Sequence, residues 1–114
     1  MNCEEQRTQM MFIEWLQYIG IKFFNHSPNE GKRTAQEGNK LKKMGMSKGF
    51  PDLEIPYPRG GKHGLYLEFK SSTGKATAEQ KRWLSFLNSQ GYRAVIVRSF
   101  DEARKITQEY INEK

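Results

Sequence analysis

Two residues of opposite charge share one face of a short predicted strand. The stretch Gly64–Lys70 alternates apolar and other residues and ends at a Ser-Ser-Thr-Gly run, a pattern that predicts a strand. Successive strand side chains point to opposite faces, so Glu68 and Lys70 lie on the same face as Tyr66. A surface ion pair is one interpretation of these two charges. An acid and a base held side by side would also suit the chemistry of an active site.

A second carboxylate lies on the preceding predicted strand. Asp52 opens that strand, and a turn-rich connection over residues 56–63 joins it to the strand that carries Glu68. Strands joined in this way form an antiparallel hairpin, which can place Asp52 opposite Glu68 and Lys70. Glu54 shares a face with Asp52, so it could assist or replace Asp52 if the register were different.

Two carboxylates and a lysine in this arrangement suit the hydrolysis of a phosphodiester. The reaction needs a water made nucleophilic and a phosphate whose charge is neutralised, and a divalent cation serves both needs. Mg²⁺ prefers oxygen ligands, which Asp52, Glu68 and a backbone carbonyl would supply. Lys70 could orient or deprotonate the attacking water, or stabilise the developing negative charge.

Positive charge is concentrated in one segment of the chain. The 114 residues include 19 Lys and Arg against 13 Asp and Glu, and the net charge of +6 favours an anionic partner such as nucleic acid. Between residues 25 and 50, six basic residues stand against Glu30 and Glu37, which leaves +4 in this segment. A solvated surface is one interpretation of such a segment, and a phosphate-binding surface is the other. The basic residues are Lys32, Arg33, Lys40, Lys42, Lys43 and Lys48.

Helices and strands alternate along the chain in a pattern typical of an α/β protein. Glu5, Gln9, Phe12 and Leu16 recur at helical spacing, which predicts one buried stripe on the first helix. A strand-helix-strand crossover is right-handed, so the last strand should lie parallel to the strand that carries Glu68. The predicted helices are Glu4–Ile19, the basic helix Thr34–Met44, and two helices that begin at capping boxes at Thr77 and Ser99. The predicted strands are Ile21–Phe24, Asp52–Ile55, Gly64–Lys70 and Ala94–Val97. Their order along the chain, α-β-α-β-β-α-β-α, predicts a mixed β-sheet flanked by helices.

Length and composition limit the other possibilities. A chain of 114 residues suits one domain, here residues 1–114, with one core. The single cysteine, Cys3, excludes an internal disulfide and suits a reducing compartment, and with two histidines it does not make an ordinary structural zinc site. No apolar run reaches the roughly 20 residues that cross a bilayer, and the N-terminus has no secretion signal. We therefore expect a cytoplasmic protein with no membrane partner.

The spacing of these residues resembles a known nuclease pattern. Pro51-Asp52 followed by Glu68-Phe69-Lys70 resembles the PD-(D/E)xK nuclease superfamily, whose members share a restriction-endonuclease-like fold. Longer runs are similar to the VRR-NUC branch of that superfamily, and the similarity covers nearly the whole chain. These runs include Glu5-x-x-x-Gln9, residues 28–33, Gly49–Leu53, Gly64–Lys70 and Gln80–Leu84. The resemblance implies a stand-alone nuclease domain of the type found in bacteriophages and bacteria.

The resemblance also implies roles for individual residues. By position, Asp52 and Glu68 would be metal ligands, and the backbone carbonyl of Phe69 would complete the inner shell. Lys70 would be the catalytic lysine. Two further site residues are implied. Glu5 would be the acid that approaches the metal from the first helix, and Glu4 is a rival for this role. Gln80 would be the glutamine that follows the strand and contacts the site.

We expect an endonuclease that depends on Mg²⁺ and accepts Mn²⁺ in its place. The resemblance implies hydrolysis of DNA to 5′-phosphate ends, a preference for branched DNA such as Holliday junctions, and a homodimer or higher homo-oligomer. Three alternatives remain open at the level of sequence. They are a duplex-cutting nuclease of restriction type, a non-catalytic nucleic-acid-binding module, and a docking protein whose acid-base strand is only an ion pair.

Overall fold

Four short strands form one mixed sheet in a computed structural model that describes residues 1–27 and 34–114. The strands are β1 (Asn25–His26), β2 (Leu53–Ile55), β3 (Leu65–Phe69) and β4 (Arg93–Val97), and they lie side by side in that order. β1 and β2 pair antiparallel, as do β2 and β3, whereas β3 and β4 are parallel. The predicted hairpin and the predicted parallel strand are therefore both confirmed.

Helices flank the sheet in the predicted order. They are α1 (Cys3–Tyr18), α2 (Ala35–Lys43), α3 (Ala78–Ser89) and α4 (Phe100–Asn112). At Thr77 the capping box is complete, since Thr77 Oγ1 accepts from the backbone of Gln80 and the Gln80 side chain accepts from the backbone of Thr77. At Ser99 the prediction is only half right. Ser99 caps α4 by accepting from the Glu102 N–H, but Glu102 Oε1 accepts from the backbone of Arg98 instead of Ser99.

The main core lies between one face of the sheet and helices α1 and α4. The buried side of α1 is formed by Glu5, Gln9, Phe12 and Leu16, the stripe that helical spacing predicts. The apolar members of this core from α1, the strands and α4 are Phe12, Leu16, Leu53, Ile55, Leu65, Leu67, Phe69, Val97, Ala103 and Tyr110. On the opposite face, α3 packs through Leu87 against Tyr66 and Ala94. The fold thus has three layers, which are α1 with α4, the sheet, and α3. The candidate site residues at the ends of β2 and β3 belong to the middle layer, the sheet.

The first strand is displaced from its predicted position. Ile21–Phe24 is not a strand, and pairing with β2 begins only at Asn25 and His26. Gly20 has φ +89, which reverses the chain at the end of α1, and the Ile21 N–H then donates to Leu16 O at 3.0 Å. The Phe23 N–H donates to the Tyr57 hydroxyl at 3.3 Å. These donors are used outside the sheet, so the apolar stretch cannot form a ladder with β2.

Helix α2 stands apart from the rest of the fold. None of its residues is buried, and within the part of the chain that the structure describes it packs against no other helix or strand. Thr34 caps the start of α2, because the Glu37 N–H donates to Thr34 Oγ1 at 3.1 Å. Across residues 1–27 and 34–114, no helix is long and apolar enough to cross a membrane.

Candidate active site

The register between β2 and β3 brings two buried carboxyl groups together. Leu53 pairs with Leu67, so Asp52, one residue before β2, comes level with Glu68. Asp52 is 3% exposed and Glu68 is 1% exposed, and the two carboxyl groups are close enough for each to shift the pKa of the other. The Phe69 N–H also donates to Asp52 Oδ2 at 2.8 Å, which fixes the orientation of that carboxyl group. Asp52 and Glu68 therefore converge as the sequence pattern predicts.

Lys70 completes the cluster from the same face of the sheet. Its Nζ lies 3.8 Å from Glu68 Oε2, and its side chain is only 10% exposed. The Lys70 N–H donates to Val97 O at 2.9 Å, so the backbone continues the β3–β4 ladder by one residue and holds the side chain in phase with Glu68. A surface ion pair would be solvated, whereas this one is buried beside a second carboxyl group.

Burial sets the electrostatics of the carboxyl pair. Desolvation, followed by the neighbouring charge of Asp52 and the hydrogen bond with it, raises the pKa of Glu68 from an ordinary 4.5 to about 8, although Lys70 acts in the opposite direction. Desolvation also raises the pKa of Asp52, against the lowering effect of the Phe69 N–H. Two carboxylates this close cannot both ionise at low cost in a buried site. A proton or a cation between them relieves the repulsion.

The site offers a metal ion two carboxylates, from Asp52 and Glu68. Among residues 1–27 and 34–114, no group of three or more His, Cys, Asp or Glu side chains is placed to hold a metal together. Zinc and calcium sites are ordinarily built from more protein ligands than this. Mg²⁺ is typically held by one or two carboxylates, with waters and substrate phosphates completing its shell. The pair formed by Asp52 and Glu68 fits Mg²⁺ on that chemistry.

Gln80 serves the site and the start of α3 with one side chain. Its Nε2 donates to Glu68 Oε2 at 3.2 Å, and its Oε1 accepts from the Thr77 N–H at 2.9 Å. Gln80 is 8% exposed, so both hydrogen bonds lie away from bulk water. Glu68 Oε2 is thus the shared partner of Gln80 and Lys70. Gln80 contacts the site as expected, but a capping pattern alone does not predict that contact.

Glu5 borders the site from α1. It is 8% exposed, its Oε2 accepts from the Ser71 N–H at 3.3 Å, and its charge acts on the Glu68 carboxyl group. Its rival Glu4 is exposed and accepts from the Ser72 N–H at 3.2 Å. Of the two acids, Glu5 is therefore the buried one, in agreement with the helical phase of the stripe.

Glu54 is engaged elsewhere. It is the cross-strand partner of Tyr66, whose hydroxyl donates to Glu54 Oε2. Burial, followed by this hydrogen bond and the Glu54 charge, raises the pKa of Tyr66 above its usual range. The register brings Asp52 and not Glu54 beside Glu68, so the interpretation in which Glu54 replaces Asp52 is wrong.

Two residues beside the site were not predicted as part of it. His26 Nδ1 lies 2.9 Å from the carbonyl oxygen of Asp52, and the Gln9 amide lies 3.0 Å from the same ring nitrogen. The Ser27 N–H donates to that carbonyl as well, at 2.9 Å. Gln9 is marked in the sequence by its place on the buried stripe of α1. His26 has no such signal, because the predicted strand ended before it.

The basic residues fall into two groups. Lys32 and Arg33 lie outside the described residues. The others are exposed on α2 or on the loop that follows it, and they are Lys40, Lys42, Lys43 and Lys48. Exposed lysines on an element that contributes nothing to the core are free to contact a phosphate backbone.

Comparison with known proteins identifies the family of this chain. The model of the VRR-NUC domain family matches residues 3–101. The chain therefore belongs to the VRR-NUC family, which is a family of nucleases. A solved structure described as a VRR_NUC domain protein is similar at 31% identity with a TM-score of 0.83, covering 99% of this chain and 92% of its own. A second, described as a VRR_NUC domain, shares the fold at 23% identity with a TM-score of 0.65, covering 96% and 99%. None of the curated proteins matches this chain.

Proposed function

We propose that the protein is a Mg²⁺-dependent endonuclease that hydrolyses phosphodiester bonds in DNA. The observation that carries the proposal is the convergence of Asp52, Glu68 and Lys70 in one buried cluster. Membership of a nuclease family supports the reaction class. A binding module would have no need for two carboxyl groups beside a phosphate, since they would repel it.

In this proposal the two carboxylates hold the ion and the other residues hold the carboxylates. Bound between Asp52 and Glu68, Mg²⁺ would neutralise phosphate charge and make a water more acidic. The Phe69 N–H fixes one carboxyl group and the Gln80 amide fixes the other. The Phe69 carbonyl would add a further oxygen, and Glu5 would act on the site from α1.

Lys70 would act on the water or on the reacting phosphate. Its amine lies 3.8 Å from Glu68 Oε2, on the side of the sheet where the carboxyl pair would hold the reacting phosphate. A protonated Lys70 would stabilise the charge that develops on the phosphate, and a neutral Lys70 would accept a proton from the attacking water. The lysines on α2 and Lys48 would hold the flanking phosphates.

A cleavage assay tests the proposal directly. The protein is incubated with linear duplex, single-stranded, flap and four-way-junction DNA, with and without Mg²⁺ or Mn²⁺. We expect cutting only with metal, and we expect Lys70→Ala and Asp52→Asn to bind DNA without cutting it. Glu54→Gln is the matched control, because it removes a carboxylate from the same strand but outside the cluster, and it should still cut. Metal-independent binding with no cutting by the wild type would instead indicate a non-catalytic module.

Two finer parts of the proposal concern substrate and assembly. We infer a preference for branched DNA and a homodimer from the family resemblance, since two active sites related by a two-fold axis can meet two strands of a junction. Cutting of the four-way junction at lower protein concentration than linear duplex would support the first part. Equal cutting of both would favour a duplex-specific enzyme of restriction type. Analytical ultracentrifugation measures the second part.

A further inference from the structure

A groove beside the active site combines positive charge with two aromatic rings, one exposed and one half-buried. It lies between α3 and the segment that runs from the end of α2 to residue 48, and it encloses about 620 Å³. This volume is within the range of about 300–1,000 Å³ that is common for ligand sites. Its charged and aromatic lining residues are Lys42, Lys48, Glu79, Arg82, Trp83 and Phe86. We call it the α2–α3 groove.

One stripe of α3 forms a wall of the groove. Glu79, Arg82, Trp83 and Phe86 recur at steps of three, one and three residues, so they lie on one side of the helix. An apolar stripe on a helix usually packs into the core, but Phe86 is 55% exposed and therefore faces solvent. The rings of Trp83 and Phe86 meet edge to face, with centroids 6.2 Å apart.

The Trp83 ring is held in place by Phe50. Phe50 packs edge-on against it with centroids 4.8 Å apart, and Phe50 in turn contacts Tyr66 at 5.6 Å. The indole is therefore anchored to β3 through two aromatic contacts. An aromatic ring held in this way loses little conformational entropy when a ligand stacks on it.

The charges of the groove suit a polyanion. Three cations, Lys42, Lys48 and Arg82, line it together with one carboxylate, Glu79. Phosphates supply negative charge and nucleobases supply flat rings, so a nucleic acid strand matches both parts of the lining. Paired bases in a duplex are stacked on one another and cannot present their faces to Trp83 or Phe86, whereas unpaired bases can.

The groove reaches the active site at the start of α3. Lining residue Glu79 is adjacent in sequence to Gln80, whose amide binds Glu68. On the other side, Lys48 is separated from Asp52 by a short loop in which Gly49 packs against the backbone of Glu79. A strand whose phosphate lay at the carboxyl pair would therefore have the groove within reach of its next nucleotides.

We propose that the α2–α3 groove binds an unpaired segment of the DNA next to the bond that is cut. The substrate assignment rests on the proposed nuclease function, but the binding of single-stranded DNA can be measured without cleavage. In this inference Phe86 and Trp83 stack on bases, and Lys42, Lys48 and Arg82 bind the phosphates. Among the branched substrates, the preferred one would then be a flap, which contains a junction between duplex and single strand.

A pair of phenylalanine variants tests the inference. Phe86→Ala and Phe23→Ala both remove an exposed ring, 55% and 73% exposed respectively, but only the first lies in the groove. Binding is measured by fluorescence anisotropy with the full chain in metal-free buffer, using an oligodeoxythymidylate and a hairpin duplex. We expect Phe86→Ala to weaken binding of the oligonucleotide by roughly five- to a hundredfold. Its duplex binding, and both affinities of Phe23→Ala, should match the wild type.

The outcomes separate the groove from the other possible roles of Phe86. Equal oligonucleotide affinity in the two variants would overturn the inference, as would an equal loss on both DNA probes. It would also be overturned if Phe86→Ala changed the association state in sedimentation without changing DNA affinity, because the groove would then bind a second copy of the chain.

In a Trp15→Phe protein, Trp83 is the only indole, and its fluorescence should be quenched by the oligonucleotide; an unchanged signal would contradict stacking.

Cleavage by the wild type is followed in parallel with Mg²⁺. A Phe86 effect on binding with no cleavage of any DNA would support the groove and refute the proposed nuclease function. Cleavage with no Phe86 effect would refute the groove and leave the nuclease function intact.

Discussion

The amide of Gln80 donates to Glu68 Oε2 at 3.2 Å and thereby ties the first turn of α3 to the end of β3. The same side chain closes the capping box with Thr77. Formation of the helix start and orientation of the central carboxyl group therefore depend on one glutamine.

A comparison of Gln80→Ala with Thr77→Ala should separate the role of Gln80 in capping α3 from its role in orienting Glu68. Either Gln80→Ala or Thr77→Ala loses part of the cap, and each should cost about 1 kcal/mol of stability by denaturant unfolding. Only Gln80→Ala also leaves Glu68 without its amide donor, so its cleavage rate should fall by about 10- to 100-fold. Thr77→Ala should cut nearly as fast as the wild type. Equal rate losses in the two variants would mean that Gln80 acts only through the helix.

The carboxyl pair should make the metal-free protein less stable as pH rises. The pKa of Glu68 is raised from 4.5 to about 8, so between these values the folded state binds more protons than the unfolded state. The free energy of unfolding then falls with increasing pH across that window. Thermal melts in EDTA from pH 5 to pH 8 should show the wild type losing stability relative to Glu68→Gln.

Metal should reverse that loss. A cation held by Asp52 and Glu68 would bind the ionised pair, so Mg²⁺ at pH 8 should raise the melting temperature of the wild type. The same addition should have a smaller effect on Glu68→Gln, which has one carboxylate fewer. Parallel pH profiles for the two proteins in EDTA would contradict the buried, repelling pair.

Gly49 should be intolerant of a side chain for a reason that Gly45 does not share. Both have positive φ, +88 for Gly49 and +103 for Gly45, but only at Gly49 would a Cβ meet backbone, 2.7 Å from Glu79 C and 2.8 Å from Gln80 N. Gly45→Ala should cost about 1–2 kcal/mol from its backbone conformation alone. Gly49→Ala should cost roughly 2 kcal/mol more and should reduce cleavage, since it pushes on the start of α3. Equal unfolding free energies for the two variants would refute this packing.

The lysines of α2 should contribute to DNA binding through charge alone. Removal of Lys40 and Lys43 together should lower the slope of log affinity against log salt on duplex DNA by about 1.8, or about 0.9 for each phosphate contact. Lys105→Ala on α4 is the control, because it removes an exposed cation from another element. An unchanged slope in the double variant would place the DNA elsewhere on the surface.

The residues of the carboxyl cluster could be predicted because strand geometry is strict. Alternation puts Glu68 and Lys70 on one face, and any register that buries Leu53 and Ile55 puts Asp52 and Glu54 on that face as well. The buried stripe of α1 followed from helical spacing in the same way. Periodicity therefore predicted the carboxyl cluster and the buried position of Glu5.

The remaining contacts depend on interactions that periodicity does not encode. The apolar run Ile21–Phe24 looks like a strand, but its Ile21 and Phe23 N–H groups donate to Leu16 and Tyr57. That shift moved the edge strand to Asn25 and His26, and it hid the contact between His26 and Asp52. The α2–α3 groove could not be predicted either. It depends on the position of α2, and α2 has no buried residues whose spacing would indicate that position.

The separation of α2 from the core has a consequence for variation in this chain. Since no residue of α2 is buried, changes along it carry little penalty for folding. Affinity for the substrate can therefore diverge among descendants of this protein without any change in the carboxyl cluster, which takes no residue from α2.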